Sequence, residues 1–283
     1  MKTIIDGYIN EINSYLENIF KGENETQLFD AMNYSLLAGG KRIRPLIVLM
    51  CCEALGGKRE DALPLAAALE MIHTYSLIHD DLPAMDNDDL RRGLPTCHKK
   101  FDEATAILAG DGLLTYAFEH IANSSLGDNK KARAISVLAG AAGPYGMVLG
   151  QALDMNLNTD KSDAVLNMYS KKTGALLNAA GALGAIAAGG SGDEFIEFTS
   201  SVGLAFQIKD DILDIESTAE ELGKPIGSDE KNDKNTLVSI IDIDSAKEML
   251  SAYTERAMAF AKGLEKDGEL FIYLAQMLFG RKN

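Results

Sequence analysis

EMIHTYSLIHDDLPAMD, residues 70–86, is the stretch on which the fold turns. Its apolar side chains recur three and four apart, as at Met71, Tyr75 and Ile78, which is the period of a helix laid against a core. Three carboxylates, Asp80, Asp81 and Asp86, come directly after that apolar segment, where a merely solvated helix face does not explain them. GLAFQIKDDILD, residues 203–214, repeats the arrangement, with Asp210, Asp211 and Asp214 after a second apolar segment. Outward from these two stretches, long runs rich in Ala, Leu, Met and Glu keep the same period. Alternating β-branched runs joined by Asn-Gly or Asp-Gly turns are missing. The reading is an all-α protein.

Glycine and proline punctuation, as at Gly39-Gly40, Gly56-Gly57, Pro95, Gly127, Gly189 and Gly268, divides the chain into about ten helices. Pro144 falls inside a helical pattern and is expected to kink a helix. Residues 174–190, built largely from Ala and Gly, are the most membrane-like stretch, yet they are too short to span and include Asn178. They read as a buried helix whose small residues allow close contact. No repeat or linker splits the chain, so residues 1–283 are read as one domain. The polar stretch 217–235 reads as a loop that orders over a site.

The chain has 283 residues, 46% of them hydrophobic and 24% charged, the profile of a globular protein. Its 27 Lys and Arg against 42 Asp and Glu leave a net charge of -15, which argues against nucleic acid or an anionic membrane surface as partner. An anionic ligand would have to be recruited by local cations. Cys51, Cys52 and Cys97 make no even framework and read as reduced, buried thiols of a cytoplasmic protein. Asp6, Asn10, Glu11 and Glu17 interrupt the N-terminal apolar residues, so no signal peptide and no membrane span is expected.

Asp210 and Asp214 are four residues apart and share a helix face, where unpaired they repel. A divalent cation relieves that repulsion, and oxygen donors select a hard ion such as Mg2+, which shares its shell with phosphate oxygens. A calcium loop beginning at Asp86 fails, because Leu90 and Arg91 stand where the loop needs an oxygen donor and glycine. GGKRIRP (39–45) offers three cations at a helix start, and Arg91-Arg92-Gly93 follows the first acidic cluster. Both suit capture of an anion. No GxxxxGK[ST] loop is present.

Taken together, GGKRIRP, the run from 70 to 98, AILAGDGLL (106–114), GQALDM (150–155), KKTGALL (171–177), the second acidic cluster, LGK (222–224) and a basic end at Arg281 resemble the trans-prenyl diphosphate synthases nearly end to end. The resemblance implies the isoprenoid synthase fold, a helical bundle around a central catalytic cavity. It implies a prenyltransferase that condenses isopentenyl diphosphate with dimethylallyl or geranyl diphosphate, and a homodimer. By the same resemblance, Asp80, Asp86 and Asp210 would hold three magnesium ions, supported by Asp81, Asp211 and Asp214. Arg91, Lys172 and Lys224 would contact the allylic diphosphate. Lys41, Arg44, His73 and Arg92 would hold that of isopentenyl diphosphate, and Thr173 and Gln207 would line the reacting centre.

For product length, Tyr75 lies five residues before Asp80, roughly 7 to 8 Å deeper along the helix. The resemblance makes an aromatic residue there, with two extra residues between Asp81 and Asp86, the mark of a farnesyl producer. Small Ser76 is instead the residue aligned with Asp80, and a geranylgeranyl product is the alternative. Terpene cyclases would have a different second metal motif, and a non-catalytic regulatory subunit would be expected to lose aspartates or arginines. Two features depart from the family pattern. Leu237 and Val238 replace Tyr-Pro after Lys234-Asn235-Thr236, so the exit of the 217–235 stretch is expected to differ. Lys209 intrudes before Asp210 and is expected to point to solvent.

Overall fold

The computed structural model describes residues 1–22, 26–216 and 236–280. The chain order is α1 (Lys2–Glu17), α2 (Gln27–Leu36), α3 (Ile43–Ala54), α4 (Arg59–Asp80), a ribbon of β1 (Leu90–Arg91) and β2 (Leu94–Pro95), α5 (Cys97–Lys100), α6 (Glu103–Ala122), α7 (Asp128–Ala142), α8 (Met147–Asn156) and α9 (Ser162–Tyr169). A π-helical turn (Ser170–Gly174) leads into α10 (Ala175–Ala188), then α11 (Ile196–Glu216), α12 (Leu237–Ile240), α13 (Ile243–Lys262) and α14 (Gly268–Phe279). Among the described residues α5 and α12 have four residues each and the other helices eight or more, so the all-α reading holds with more, shorter helices than the expected ten or so.

The reading from residues 70–79 is realised as α4, 22 residues long and buried at Leu65, Leu69, Met71, Ile72, Tyr75 and Ile78. It is apolar nearly all round because α3, α6 and α10 cover it on different sides. The predicted small-residue helix is α10. At Gly184 an added Cβ would lie 2.4 Å from the Val48 carbonyl oxygen and 2.7 Å from Cys51 Cβ, so α3 and α10 approach backbone to side chain as expected. Phe195 and Phe198 meet Phe271 of α14 at 5.6 and 5.0 Å, which ties the C-terminal helices to the same core.

Two local expectations are corrected. Around Pro144 there is a break and not a kink: α7 ends at Ala142 and α8 starts at Met147. The residue before a proline is pushed out of the α region, and Gly143 takes ψ -162. The stretch 128–156, and not 174–190, is also the one among the described residues whose length and composition would suit a membrane span; the break divides it, and only 28% of its most apolar window is buried. The β ribbon is a second departure from the helical pattern. Arg92 (φ 54) and Gly93 (φ 77) turn it, the left-handed pair that a tight hairpin requires.

A second, smaller apolar cluster, made by Val165, Met168, Tyr169, Ile208, Ile212, Leu237 and Ala246, lies beside the second acidic motif. It joins α9, α11, α12 and α13 separately from the main core.

Candidate active site

The loop before α3 is bent by left-handed residues, Gly39 (φ 85), Gly40 (φ 116) and Arg42 (φ 49). Arg42 is a structural cation: 4% exposed, it donates to Glu70 at 2.6 Å, to Asn13 at 3.0 Å and to the Leu36 carbonyl at 2.8 Å. A buried pair of this kind is held in place by those extra hydrogen bonds, and losing one partner costs about 3–5 kcal/mol. The Arg42–Glu70 pair forms part of the wall of a cavity of about 450 Å³ whose lining also includes Lys41, Arg44, His73, Arg92, Thr173 and Phe206. All four residues expected to meet the isopentenyl diphosphate are therefore brought together, although they come from three separate stretches. Arg92 donates to the Gly39 carbonyl, and its guanidinium carbon lies 2.6 Å from where a Gly40 Cβ would be, so only glycine lets it fold back over that loop. Arg44 Nη1 lies 3.4 Å from His73 Nε2, and Arg44 Nε is buried without a partner. Burial, with Arg92 adding to it and Glu70 opposing, lowers the Arg44 pKa to about 10, which leaves it cationic at neutral pH. Burial and the Arg44 charge hold the His73 imidazole well below its ordinary value, hence neutral.

At the end of α4 the first acidic cluster closes in a turn, with the Asp86 N–H donating to the Asp80 carbonyl at 2.9 Å. Its members separate. Asp81 is 2% exposed and receives Arg91 Nε at 2.7 and 2.9 Å, while Asp80 and Asp86 are half-buried. Burial lifts the Asp81 carboxyl above its ordinary range against the opposing pull of Arg91.

The π turn carries Lys172 and Thr173. Lys172 Nζ donates to Asp154 at 2.6 Å, and Thr173 Oγ1 donates to Gln207 Oε1 at 2.5 Å. Helix α8 joins this turn to the first cluster, because Gln151 Nε2 donates to Asp80 Oδ1 while Asp154, three residues on, takes Lys172. Gly150 makes that possible: an added Cβ would lie 2.1 Å from the Lys172 backbone nitrogen. On α11, Asp210 is exposed, Asp211 and Asp214 are buried, and Lys209, expected in solvent, is half-buried. Tyr169 Oη donates to Asp211 at 2.5 Å; burial and that charge push its phenol pKa up.

Gln151 and Asp154 sit inside GQALDM without having been assigned a role, and their signal was the i, i+3 spacing that puts both on one helix face. Tyr169 and the Arg42–Glu70 pair had no such local signal. Tyr75 is 7% exposed and meets the His79 ring edge-on at 5.8 Å; His79 Nε2 is held 3.0 Å from the Ile107 carbonyl of α6. Ser76 bonds back to His73 of its own helix at 2.8 Å. Lys224, Arg281 and the whole 217–235 stretch lie outside the described residues.

Among the described residues no three His, Cys, Asp or Glu side chains converge as a ready-made metal cage. Magnesium does not ask for one, since it retains waters and is held by one or two carboxylates plus substrate phosphates. Asp80 and Asp86 at one helix end and Asp210 on α11 supply that chemistry, and Asp214 Oδ1 is buried with no hydrogen-bond partner. The donor set fits the ion.

Comparison with known proteins gives one family. A family model described as polyprenyl synthetase matches residues 25–266. A farnesyl diphosphate synthase of Geobacillus stearothermophilus is 47% identical over 95% of this chain and 93% of its own length. The large subunit 1 of a heterodimeric chloroplastic geranylgeranyl pyrophosphate synthase of Arabidopsis thaliana is 44% identical over 90% of this chain and 72% of its own length. The fold is also that of a Helicobacter pylori geranyltransferase solved with magnesium and isoprenyl diphosphate, with a TM-score of 0.84 and 32% identity over 98% of this chain and 96% of that one.

Proposed function

This chain belongs to the polyprenyl synthetase family and is a prenyltransferase, and we propose that it joins isopentenyl diphosphate to dimethylallyl and then geranyl diphosphate, with farnesyl diphosphate as product. The observation that carries this reading is the cation-lined cavity of Lys41, Arg44, His73 and Arg92, coupled through Thr173, Lys172 and α8 to the carboxylate of Asp80. A neutral His73 among three cations can accept or donate a hydrogen bond without adding charge, and Arg forks match diphosphate oxygens. We assign the isopentenyl diphosphate to these groups.

Arg91 and Lys172, with Lys224 from outside the described residues, are assigned to the allylic diphosphate. Asp81 and Asp154 hold the first two in position, so little side-chain freedom is lost when the substrate arrives. Asp80, Asp86 and Asp210 would hold magnesium, in three ions shared with that diphosphate, and when bound it neutralises the charge growing on the leaving group. The allylic C–O bond breaks with its electron pair leaving on the diphosphate. The Thr173 hydroxyl donates its hydrogen bond to Gln207, which leaves the hydroxyl oxygen lone pairs for the cation that forms. The alkene of isopentenyl diphosphate supplies the electrons for the new C–C bond, and a proton is then lost to the departed diphosphate. No side-chain nucleophile is required.

The reading extends to one domain over 1–283 and to a cytoplasmic homodimer. Cys51, Cys52 and Cys97 are all free thiols. Ile107 and Leu108 of α6, with Tyr145 before α8 and Val148 and Met155 on it, are exposed large apolar side chains of the kind a second copy covers. Identities of 47% and 44% to farnesyl and geranylgeranyl synthases do not separate their products, so geranylgeranyl diphosphate is the second reading. Pure protein incubated with magnesium, isopentenyl diphosphate and each allylic primer should give chiefly a fifteen-carbon diphosphate and none with excess EDTA. A twenty-carbon main product replaces the first reading with the second, and no product from any primer removes both.

A further inference from the structure

Asp211 adjoins Asp210 in the second acidic motif, yet its carboxylate is engaged inside the protein. Its Oδ2 receives the Tyr169 hydroxyl at 2.5 Å and the Leu237 backbone N–H at 2.9 Å, and that N–H is also 3.1 Å from the Tyr169 oxygen. Asp211 is 5% exposed, Tyr169 4% and Leu237 0%. Three elements meet at this oxygen: the last residue of α9, the C-terminal part of α11 and the first residue of α12.

We propose that Asp211 is a positioning residue, whose carboxylate fastens the end of α9 and the start of α12 to α11 and so sets where Lys172 and Thr173 stand relative to Asp210. Tyr169 directly precedes the π turn that carries Lys172 and Thr173, so the place of its hydroxyl fixes the root of that turn. Helix α12 has four residues, too few to persist on its own hydrogen bonds, and it needs an external acceptor for its first N–H. The apolar support here is the small cluster around Val165, Met168, Ile208 and Ile212, separate from the main core, so a buried charged acceptor carries more of the holding than it would elsewhere. Drawing the carboxylate away to a metal ion would leave the Leu237 N–H and the Tyr169 hydroxyl short of a buried partner, which is costly. The inference rests on the proposed prenyltransferase site for its consequence, although the fastening itself is a property of the unliganded chain.

Amide hydrogen exchange at Leu237 in the full unliganded chain tests the fastening without reference to catalysis. Asp211→Ala should speed exchange there by about tenfold or more, and Tyr169→Phe, which keeps the carboxylate, by a smaller factor of about threefold. Asp210→Ala should leave it at the wild-type rate. Calorimetric titration with inorganic pyrophosphate, with and without magnesium, adds a second readout: Asp210→Ala loses the magnesium-dependent gain in affinity and Asp211→Ala keeps it within about threefold. In turnover Tyr169→Phe should lower kcat while the KM for isopentenyl diphosphate holds. Should Asp211→Ala not fold, Tyr169→Phe carries the exchange and turnover tests. Wild-type exchange at Leu237 in both variants, or loss of magnesium-dependent pyrophosphate binding in Asp211→Ala equal to that in Asp210→Ala, overturns the assignment. Absence of prenyl transfer by the wild type would instead remove the functional reading, with the exchange result standing by itself.

Discussion

Gly150→Ala adds one methyl group where α8 touches the π turn, and the structure sets the size of the effect. The new Cβ would lie 2.1 Å from the Lys172 nitrogen, 2.4 Å from its Cα and 2.7 Å from the Lys171 carbonyl carbon. These are backbone atoms, which cannot swing aside as a side chain would. Restoring ordinary contact near 3.4 Å requires α8 and the turn to part by about 1.3 Å, the difference between 3.4 and 2.1 Å. Overpacking of this kind costs about 1–3 kcal/mol. For a chain of this length that corresponds to a fall in Tm of roughly 2–5 °C. The functional cost should be larger, because the same displacement opens the Lys172–Asp154 contact of 2.6 Å and the Gln151–Asp80 bond together. Misplacing reacting groups by about 1 Å lowers rates on the order of a hundredfold. Steady-state kcat with geranyl and isopentenyl diphosphates, beside a calorimetric melt, measures both. Gly140→Ala is the control: it lies in α7 with nothing within 4 Å of its added Cβ, so it should leave kcat alone and slightly raise Tm. A Gly150→Ala enzyme that melts early but keeps kcat within about threefold of wild type would refute the idea that α8 transmits its position to the site.

Asp80→Ala and Asp210→Ala should each cut kcat by at least about a hundredfold with the helical circular dichroism unchanged, since assistance to ionisation is worth several kcal/mol and each ~1.4 kcal/mol is tenfold; a near-normal rate in either would remove that carboxylate from the mechanism. Tyr75→Ala should lengthen the product toward geranylgeranyl diphosphate in a chromatographic assay of chain length, and an unchanged product distribution would mean that Tyr75 only packs against His79. For pH, burial and the Arg44 charge hold His73 neutral in the folded chain, whereas the unfolded chain takes up a proton as pH falls through about 6.5. Its contribution is therefore complete above that pH and is lost on acidification, at up to about 1.4 kcal/mol per pH unit, and His73→Gln should flatten the denaturant-measured stability profile between about pH 6.5 and 5.5. Because His98 and His120 are depressed in the same direction, part of the slope should survive, and a wholly unchanged slope would show that His73 is not the group responsible.

Local periodicity determined a good deal about this protein. An α-helix is closed by bonds between residues four apart, so the apolar repeat through Met71, Tyr75 and Ile78 suffices to announce α4, and Asp80 to Asp86 must then emerge at its end. The same logic found α11, the small-residue helix α10 and both basic loops. It misjudged Pro144, where the glycine before the proline let a helix that could have kinked come apart. It had no access to pairs separated by many residues. Arg42 and Arg44 are both arginines of one basic motif on the same cavity, and only the distant Glu70 and Asn13 decide that Arg42 is pinned by hydrogen bonds while Arg44 keeps its Nε without a partner. Asp210 and Asp211 are likewise adjacent and identical in type, and it is Tyr169 and Leu237, 42 and 26 residues away, that claim the second and leave the first exposed. Neighbouring residues on a helix point about 100° apart, so which of two equal side chains meets a partner is settled by what packs around the helix, and that is known only once the chain has folded.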